Sequence, residues 1–218
     1  MKKILNGKNI LITTGPVWVP IDKVRIITSI FGGSLGLIMS KKAIDMGANV
    51  TVLCGPGRTR IEKNKNLKVL YFKYFDDLYS LMKKEISSKK YDAVIHSAAV
   101  PDYIPEKVFN GKIKSGSSSL IIKLKPTFKI IDFVKKWDPS IYLVKFKLEV
   151  GLGEDKLIDV AKKSMRDSKA DLIVANDLSK MKEKKHTAFI INSDNIKKVL
   201  TKESLASELF KTVSNNLK

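Results

Sequence analysis

ILITTGPVWVPIDKVRIITSIFGGSLG, residues Ile10–Gly36, decides the fold. An apolar strand, Ile10–Thr13, stops at Gly15-Pro16. A polar turn follows, and Gly32-Gly33-Ser34-Leu35-Gly36 then opens an apolar-periodic helix. A strand leading to a glycine-rich helix start is how α/β folds build a phosphate site. Free backbone N–H groups and the positive helix end face the anion, and the missing Cβ atoms let it come close. About a dozen and a half residues separate Gly15 from Gly33, so this is not the dinucleotide fingerprint of a tight first turn. The intervening loop is long enough to line a second ligand. The stretch points to a nucleotide-type fold whose substrate is not a dinucleotide.

Working outward, 218 residues suit one α/β domain over residues 1–218, large enough to bury a full core. The 44% apolar share and clear periodicity exclude a disordered chain. A single cysteine, Cys54, excludes a disulfide framework and a thiolate metal cluster, and suits a reducing compartment. No apolar run approaches the ~18 residues of a membrane span, and no signal peptide is legible, so a cytoplasmic protein without membrane contact is expected. The net charge of +19 raises the question of nucleic acid. Only Arg25, Arg58, Arg60 and Arg166 are arginines, and the lysine doublets are spread along the whole chain. Solvated helix faces explain that pattern better than a polynucleotide stripe, and no nucleic-acid partner is expected. The field would still draw in small polyanions.

Strands are expected at Ile10–Thr13, Val50–Cys54, Val69–Phe72, Ala93–Ser97, Tyr142–Leu148 and Asp171–Ala175. Helices are expected at Ser34–Met46, Asp76–Ser87, Lys129–Lys136, Glu154–Ser168 and Lys202–Asn215. The alternation and the near-continuous apolar strands predict a Rossmann-like, mostly parallel sheet with helices on both faces. Two segments break the rhythm. Ile113–Leu124 reads as a loop feeding a strand, and Thr187–Leu200 as a C-terminal hairpin around Ser193-Asp194-Asn195.

Ligands in open α/β sheets bind beyond the C-terminal strand ends. There the chain places Thr14 and Gly15, then Ser97-Ala98-Ala99-Val100-Pro101-Asp102, then Phe146 with Glu149, then Asn176-Asp177. The small residues at 97–99 leave room for a flat ring or a sugar, and Asp102 and Asn176 can hydrogen-bond one.

Five pieces, in order, resemble the phosphopantothenoylcysteine synthetase family of coenzyme A biosynthesis, in its form without a fused decarboxylase. GPVWVPIDKVRIIT is similar to GxTxEPIDxVRxIS, and GGSLG to the end of SNxSSGxxG. HSAAVPDY is similar to AAVADY, GKIKS to KxKK, and FKLEV with DLIVAND to GFxxET with DLIxAND. The resemblance runs from about Lys8 to the C-terminus.

The resemblance implies a homodimeric ligase that joins 4'-phosphopantothenate to L-cysteine. CTP would activate the carboxylate as an acyl-cytidylate, with Mg²⁺ carried on the triphosphate. It places Lys112 as the catalytic lysine on the triphosphate, Asp102 against the nucleotide and Phe146 against the base. Asn176 would read the nucleotide or the acyl chain, and Gly15, Ser97, Ala98 and Ala99 would give backbone and shape contacts. Arg25, Gly32, Gly33 and Ser34 would serve the phosphate loop. Each has a plain structural use as well: a surface lysine, turn residues at Asp102 and Asn176, core at Phe146, a packing salt bridge at Arg25. His96, His186 and Cys54 read as core or surface residues rather than as catalytic groups.

The chain departs from the pattern in places. Ser29 stands where the family has the Asn that handles the acyl-nucleotide. Phe31 and Gly32 replace two serines, Ser34 replaces a basic residue, and Ser115 ends the KxKK-like piece. The A-x-x-K helix reads Ala161-Lys162-Lys163-Ser164, so Lys163 supplies the basic residue one position early. A non-catalytic nucleotide-binding paralogue is the alternative these losses favour. An NAD(P)-dependent oxidoreductase is disfavoured, because Cys54-Gly55-Pro56 stands where a ribose-binding acid would end the second strand.

Overall fold

The computed structural model describes residues 3–57, 61–182 and 185–217; Arg58 and Arg60 lie outside these. In chain order the strands begin with β1 (Asn9–Thr14), β2 (Val19–Pro20), β3 (Ile26–Ile27), β4 (Asn49–Cys54) and β5 (Leu67–Tyr71). They continue with β6 (Ala93–His96), β7 (Tyr103–Pro105), β8 (Leu124–Pro126), β9 (Tyr142–Glu149), β10 (Leu172–Lys182), β11 (Lys185–Ile191) and β12 (Ile196–Val199). The helices are α1 (Ser34–Asp45), α2 (Phe75–Ser87), the short α3 (Val134–Trp137), α4 (Glu154–Ser168) and α5 (Lys202–Asn216).

Eight strands form one sheet in the order β12-β11-β10-β9-β6-β1-β4-β5. The six from β10 to β5 run parallel, and β11 and β12 complete the edge antiparallel to their neighbours. In β1, Ile10 and Ile12 face α1 and α5 with Met39, Ala43, Leu209 and Phe210. Leu11, on the other face, packs with Leu78, Met82 and Ile86 of α2 and Val134 of α3. Burial on both faces is why β1 and β6 read as unbroken apolar runs. Further along that second face, Leu157 and Ala161 of α4 cover Ile173 and Ala175 of β10.

The predicted architecture is the observed one, with local corrections. Lys129–Lys136 is not one α-helix: Ile130–Phe133 is a 3₁₀ turn that passes into α3. The strand expected at Asp171–Ala175 runs on to Lys182, because its continuation pairs antiparallel with β11 after an irregularity between Asn176 and Met181. The hairpin expected at Thr187–Leu200 is β11–β12, with Asn192 Oδ1 accepting from Asp194 N and Asn195 N. The strand fed by Ile113–Leu124 is β8, which pairs with β7 off the main sheet. A second small ladder, β2–β3, stands beside it.

Candidate functional site

A cavity of about 940 Å³ opens over the C-terminal ends of β1, β6, β9 and β10. A smaller cavity of about 260 Å³ lies at the opposite edge, among Asn9, Asn49, Lys65, Asn66 and Tyr91. Loops beyond strand C-termini form the ligand crevice of open α/β sheets, so the larger cavity is the candidate site.

The segment after β6 is zipped onto the segment after β1. Ser97 N and Ser97 Oγ both donate to the Thr13 carbonyl, Ala98 N donates to Thr13 Oγ1, and Ala99 N donates to the Gly15 carbonyl. Those groups are therefore committed to protein partners. Ser97, Ala98 and Ala99 line the cavity through their shape. Beneath them His96 is buried, with Nδ1 2.9 Å from Thr13 Oγ1. Burial first, and the Lys145 charge second, push its pKa down to about 4.

Opposite, Gly33 precedes α1 at φ +84, and no side chain caps this helix. Thr14 Oγ1 donates to the Gly33 carbonyl at 2.9 Å. A Cβ at Gly33 would stand 3.0 Å from Gly15 Cα, so the helix start is pressed onto the end of β1. Gly15, Gly32, Gly33 and Ser34 all line the cavity, as does Phe31 where the resembling motif has serine. The backbone of an uncapped helix start favours an anion.

The floor comes from β9 and β10. Phe146 and Leu148 present apolar side chains, and Asn176, 6% exposed, pairs in register with Leu148. Asp102 lines the rim. Asp177 faces away: its Oδ1 accepts from Gly151 N, Ser179 N and Ser179 Oγ. These bonds, that from Gly151 foremost, hold its carboxyl below the usual range. It orders the turn after β9.

Four expected residues do not line the cavity. Lys163 is exposed on α4. Arg25 is not a cavity residue: its guanidinium pairs with Asp22 at 2.6 Å. Asp22, 3% exposed, also accepts from Val24 N, Arg25 N and Ile113 N, and the Ile113 bond foremost holds its pKa at about 2. This clasp ties the β2–β3 ladder to the loop carrying Lys112, whose neighbour Gly111 accepts from Lys23 N. Lys112 is exposed on that loop. Ser29 lies in the segment before α1, its Oγ buried without a hydrogen-bond partner among the described residues.

His186 reads as a core or surface residue in the sequence, and the other lining groups are not singled out there. Lys147, Lys182, His186, Lys202 and Glu203 line the cavity, from β9, the β10–β11 hairpin and the start of α5. Lys145 lies just below, 8% exposed, its Nζ donating to Ser164 O, Ser164 Oγ and Ser168 Oγ. Burial is the main cause lowering its pKa. A lysine inside an apolar strand was the available signal for it.

The fold and site define a Rossmann-like α/β protein with an anion-favouring crevice. The chain belongs to the DNA/pantothenate metabolism flavoprotein C-terminal domain family, whose model matches residues 5–217. It is 34% identical over 217 residues to the coenzyme A biosynthesis bifunctional protein CoaBC of Thermococcus kodakarensis, covering 99% of this chain and 53% of that protein. The chain thus spans about half the length of that relative. Among solved structures it resembles the DNA/pantothenate metabolism flavoprotein from Streptococcus pneumoniae, with TM-score 0.90 and 32% identity, covering 96% of this chain and 100% of that one. It also resembles the C-terminal domain of a CoaBC bifunctional protein, with TM-score 0.81 and 26% identity, covering 99% of this chain and 98% of that one.

Proposed function

We propose that the protein is a phosphopantothenate–cysteine ligase of coenzyme A biosynthesis, using CTP through an acyl-cytidylate. Family membership supports the reaction class, and one observation carries the reading to this site: the uncapped start of α1, Asp102, Phe146 and Asn176 meet in a single cavity. Phe146 and the small surface of Ala98 and Ala99 suit a flat base, and Asp102 and Asn176 supply polar contacts. The α1 start suits phosphate oxygens, while Lys147, also at the cavity, pairs its Nζ with Glu149 at 2.9 Å. The 4'-phosphopantothenate carboxylate attacks the α-phosphate of CTP, and pyrophosphate leaves. The amine of L-cysteine then attacks the acyl carbon, giving the amide and CMP.

No group of three or more His, Cys, Asp and Glu residues that could hold a metal is present among the described residues. Mg²⁺ fits this reading as an ion carried on the nucleotide, where hard phosphate oxygens supply its ligands. When bound, it would neutralise charge on the triphosphate.

Lys112, on the loop between β7 and β8, and Ser29, between β3 and α1, serve the reaction from outside the cavity. Val24 and Ile30, before α1, and Ile121, between β7 and β8, are 66%, 84% and 81% exposed, which fits their cover by a second copy in a homodimer. No helix among the described residues is long and apolar enough to cross a membrane. The position of Lys112 and Ser29 outside the cavity favours a second reading, a nucleotide-binding paralogue without the second half-reaction.

The test is pyrophosphate release from CTP that depends on 4'-phosphopantothenate, followed by cysteine-dependent amide. Both steps are expected. Nucleotide binding without pyrophosphate release would select the paralogue reading.

A further inference from the structure

We propose that His186 and Lys202 hold the phosphomonoester dianion of the second substrate, an inference that rests on the ligase reading above. His186 is 8% exposed and lines the cavity, and its Nε2 has no hydrogen-bond partner among the described residues. A buried ring nitrogen left without a partner is unfavourable, so a residue held this way is suited to a ligand that supplies one. Its backbone is fixed independently, because His186 N donates to the Leu200 carbonyl just before α5.

The surroundings select the ligand's charge. Lys202 begins α5, and its Nζ donates to Ser34 Oγ at 2.9 Å, so this ammonium bridges to the first residue of α1. Lys182 lines the same wall, with Glu203 the one acid that α5 adds there. Two helix N-termini therefore converge on the cavity, and only that of α5 is capped by a side chain, Thr201 Oγ1 accepting from Ser204 N. The resemblance places a basic residue at position 34; here Lys202 brings a cation to Ser34 from elsewhere in the chain. Burial, then the Lys202 charge, keep the imidazole neutral at pH 7, with Glu203 opposing. Its Nε2–H tautomer donates to a phosphate oxygen.

The placement also separates two phosphorylated substrates. The strand that leads to Asp102, β6, and the strand that carries His186, β11, lie three strands apart in the sheet, roughly 14 Å at ordinary strand spacing. A nucleotide on Asp102 and Phe146 leaves the β11 side for a terminal phosphate on an extended acyl substrate.

The chain has two histidines, so imidazole NMR isolates the site. Adding 4'-phosphopantothenate, or inorganic phosphate alone, should shift the His186 signal and raise its pKa. The signal is assigned by its loss in His186→Gln, while His96 stays in place as a reporter of folding. By calorimetry, His186→Leu and Lys202→Met should each weaken 4'-phosphopantothenate binding about 10-fold or more, the scale of a lost charged hydrogen bond. In the His186 variant, affinity for CTP and for unphosphorylated pantothenate should change by less than about 2-fold, because neither presents that phosphate to the imidazole. A His186 signal unmoved by 4'-phosphopantothenate that the protein turns over would overturn the inference and leave the ligase reading intact. Weakened CTP binding in the His186 variant would also overturn it, giving the imidazole to the nucleotide. A His186 shift with phosphate in a protein that forms no amide would keep the phosphate site and remove the ligase reading.

Discussion

Thr14 Oγ1 donates to the Gly33 carbonyl at 2.9 Å, tying the end of β1 to the residue before α1. The contact is close because Gly36, in the first turn, lies against the Thr14 side chain, and a Cβ on Gly36 would overlap it. Gly36→Ala should therefore push α1 off β1, costing ~1–3 kcal/mol as an overpacked contact does. CTP affinity should fall with it. Urea unfolding and calorimetry on one sample check both; an unchanged midpoint and affinity would show that the α1 start tolerates displacement.

The Asp22 clasp yields a second expectation. Asp22 holds Val24 N, Arg25 N, Ile113 N and the Arg25 guanidinium. Asp22→Ala leaves the three backbone N–H groups without this acceptor and should release the loop carrying Lys112. Amide exchange at Ile113 should quicken by about 10-fold or more, on the scale of a lost charge-assisted hydrogen bond. Unchanged exchange would mean that Phe109 N to Ile21 O and Lys23 N to Gly111 O hold the loop without Asp22.

Lys112→Ala should cut pyrophosphate release by ~100-fold or more, the scale of losing one charge-stabilising donor. Its exposure means that folding stability should change by under ~0.5 kcal/mol. Near-full activity in the variant would remove Lys112 from the reaction.

Acid should weaken the fold before the carboxylates titrate. His96 and His186 each have a folded pKa lowered from 6.5 to about 4. Between those values the unfolded chain binds more protons than the folded one, so stability rises with pH and is lost as pH falls from 6.5 toward 4. The buried His96 alone should account for ~3 kcal/mol at about 1.4 kcal/mol per pKa unit. Urea unfolding across this range, repeated on His96→Gln, checks the sign: the variant's profile should be flatter. A flat profile for the unmodified protein would show that its histidines protonate without cost.

Much of the frame was legible because burial leaves a pattern. β1 and β6 are covered on both faces and so read as apolar runs, and the strand-end rule reached Ala98, Asp102, Phe146 and Asn176, which share one cavity. The extension of β10 was not legible, since Ser179–Lys182 is polar and acquires strand structure from pairing with β11. The β2–β3 and β7–β8 ladders are too short to show a period. His186 and Lys202 carry no local signature. They meet the cavity because a hairpin folds back over the sheet and α5 starts beside α1, a relation of chain topology rather than of neighbouring residues.

The most direct measurement of the central claim follows one oxygen. With 4'-phosphopantothenate labelled by ¹⁸O at both carboxylate oxygens, CTP and L-cysteine, an acyl-cytidylate route transfers one carboxylate oxygen to the phosphate of CMP and leaves the other in the amide. Mass spectrometry should find one ¹⁸O in each CMP. Unlabelled CMP formed alongside the amide would contradict the acyl-cytidylate, and failure to form CMP would contradict CTP-dependent ligation.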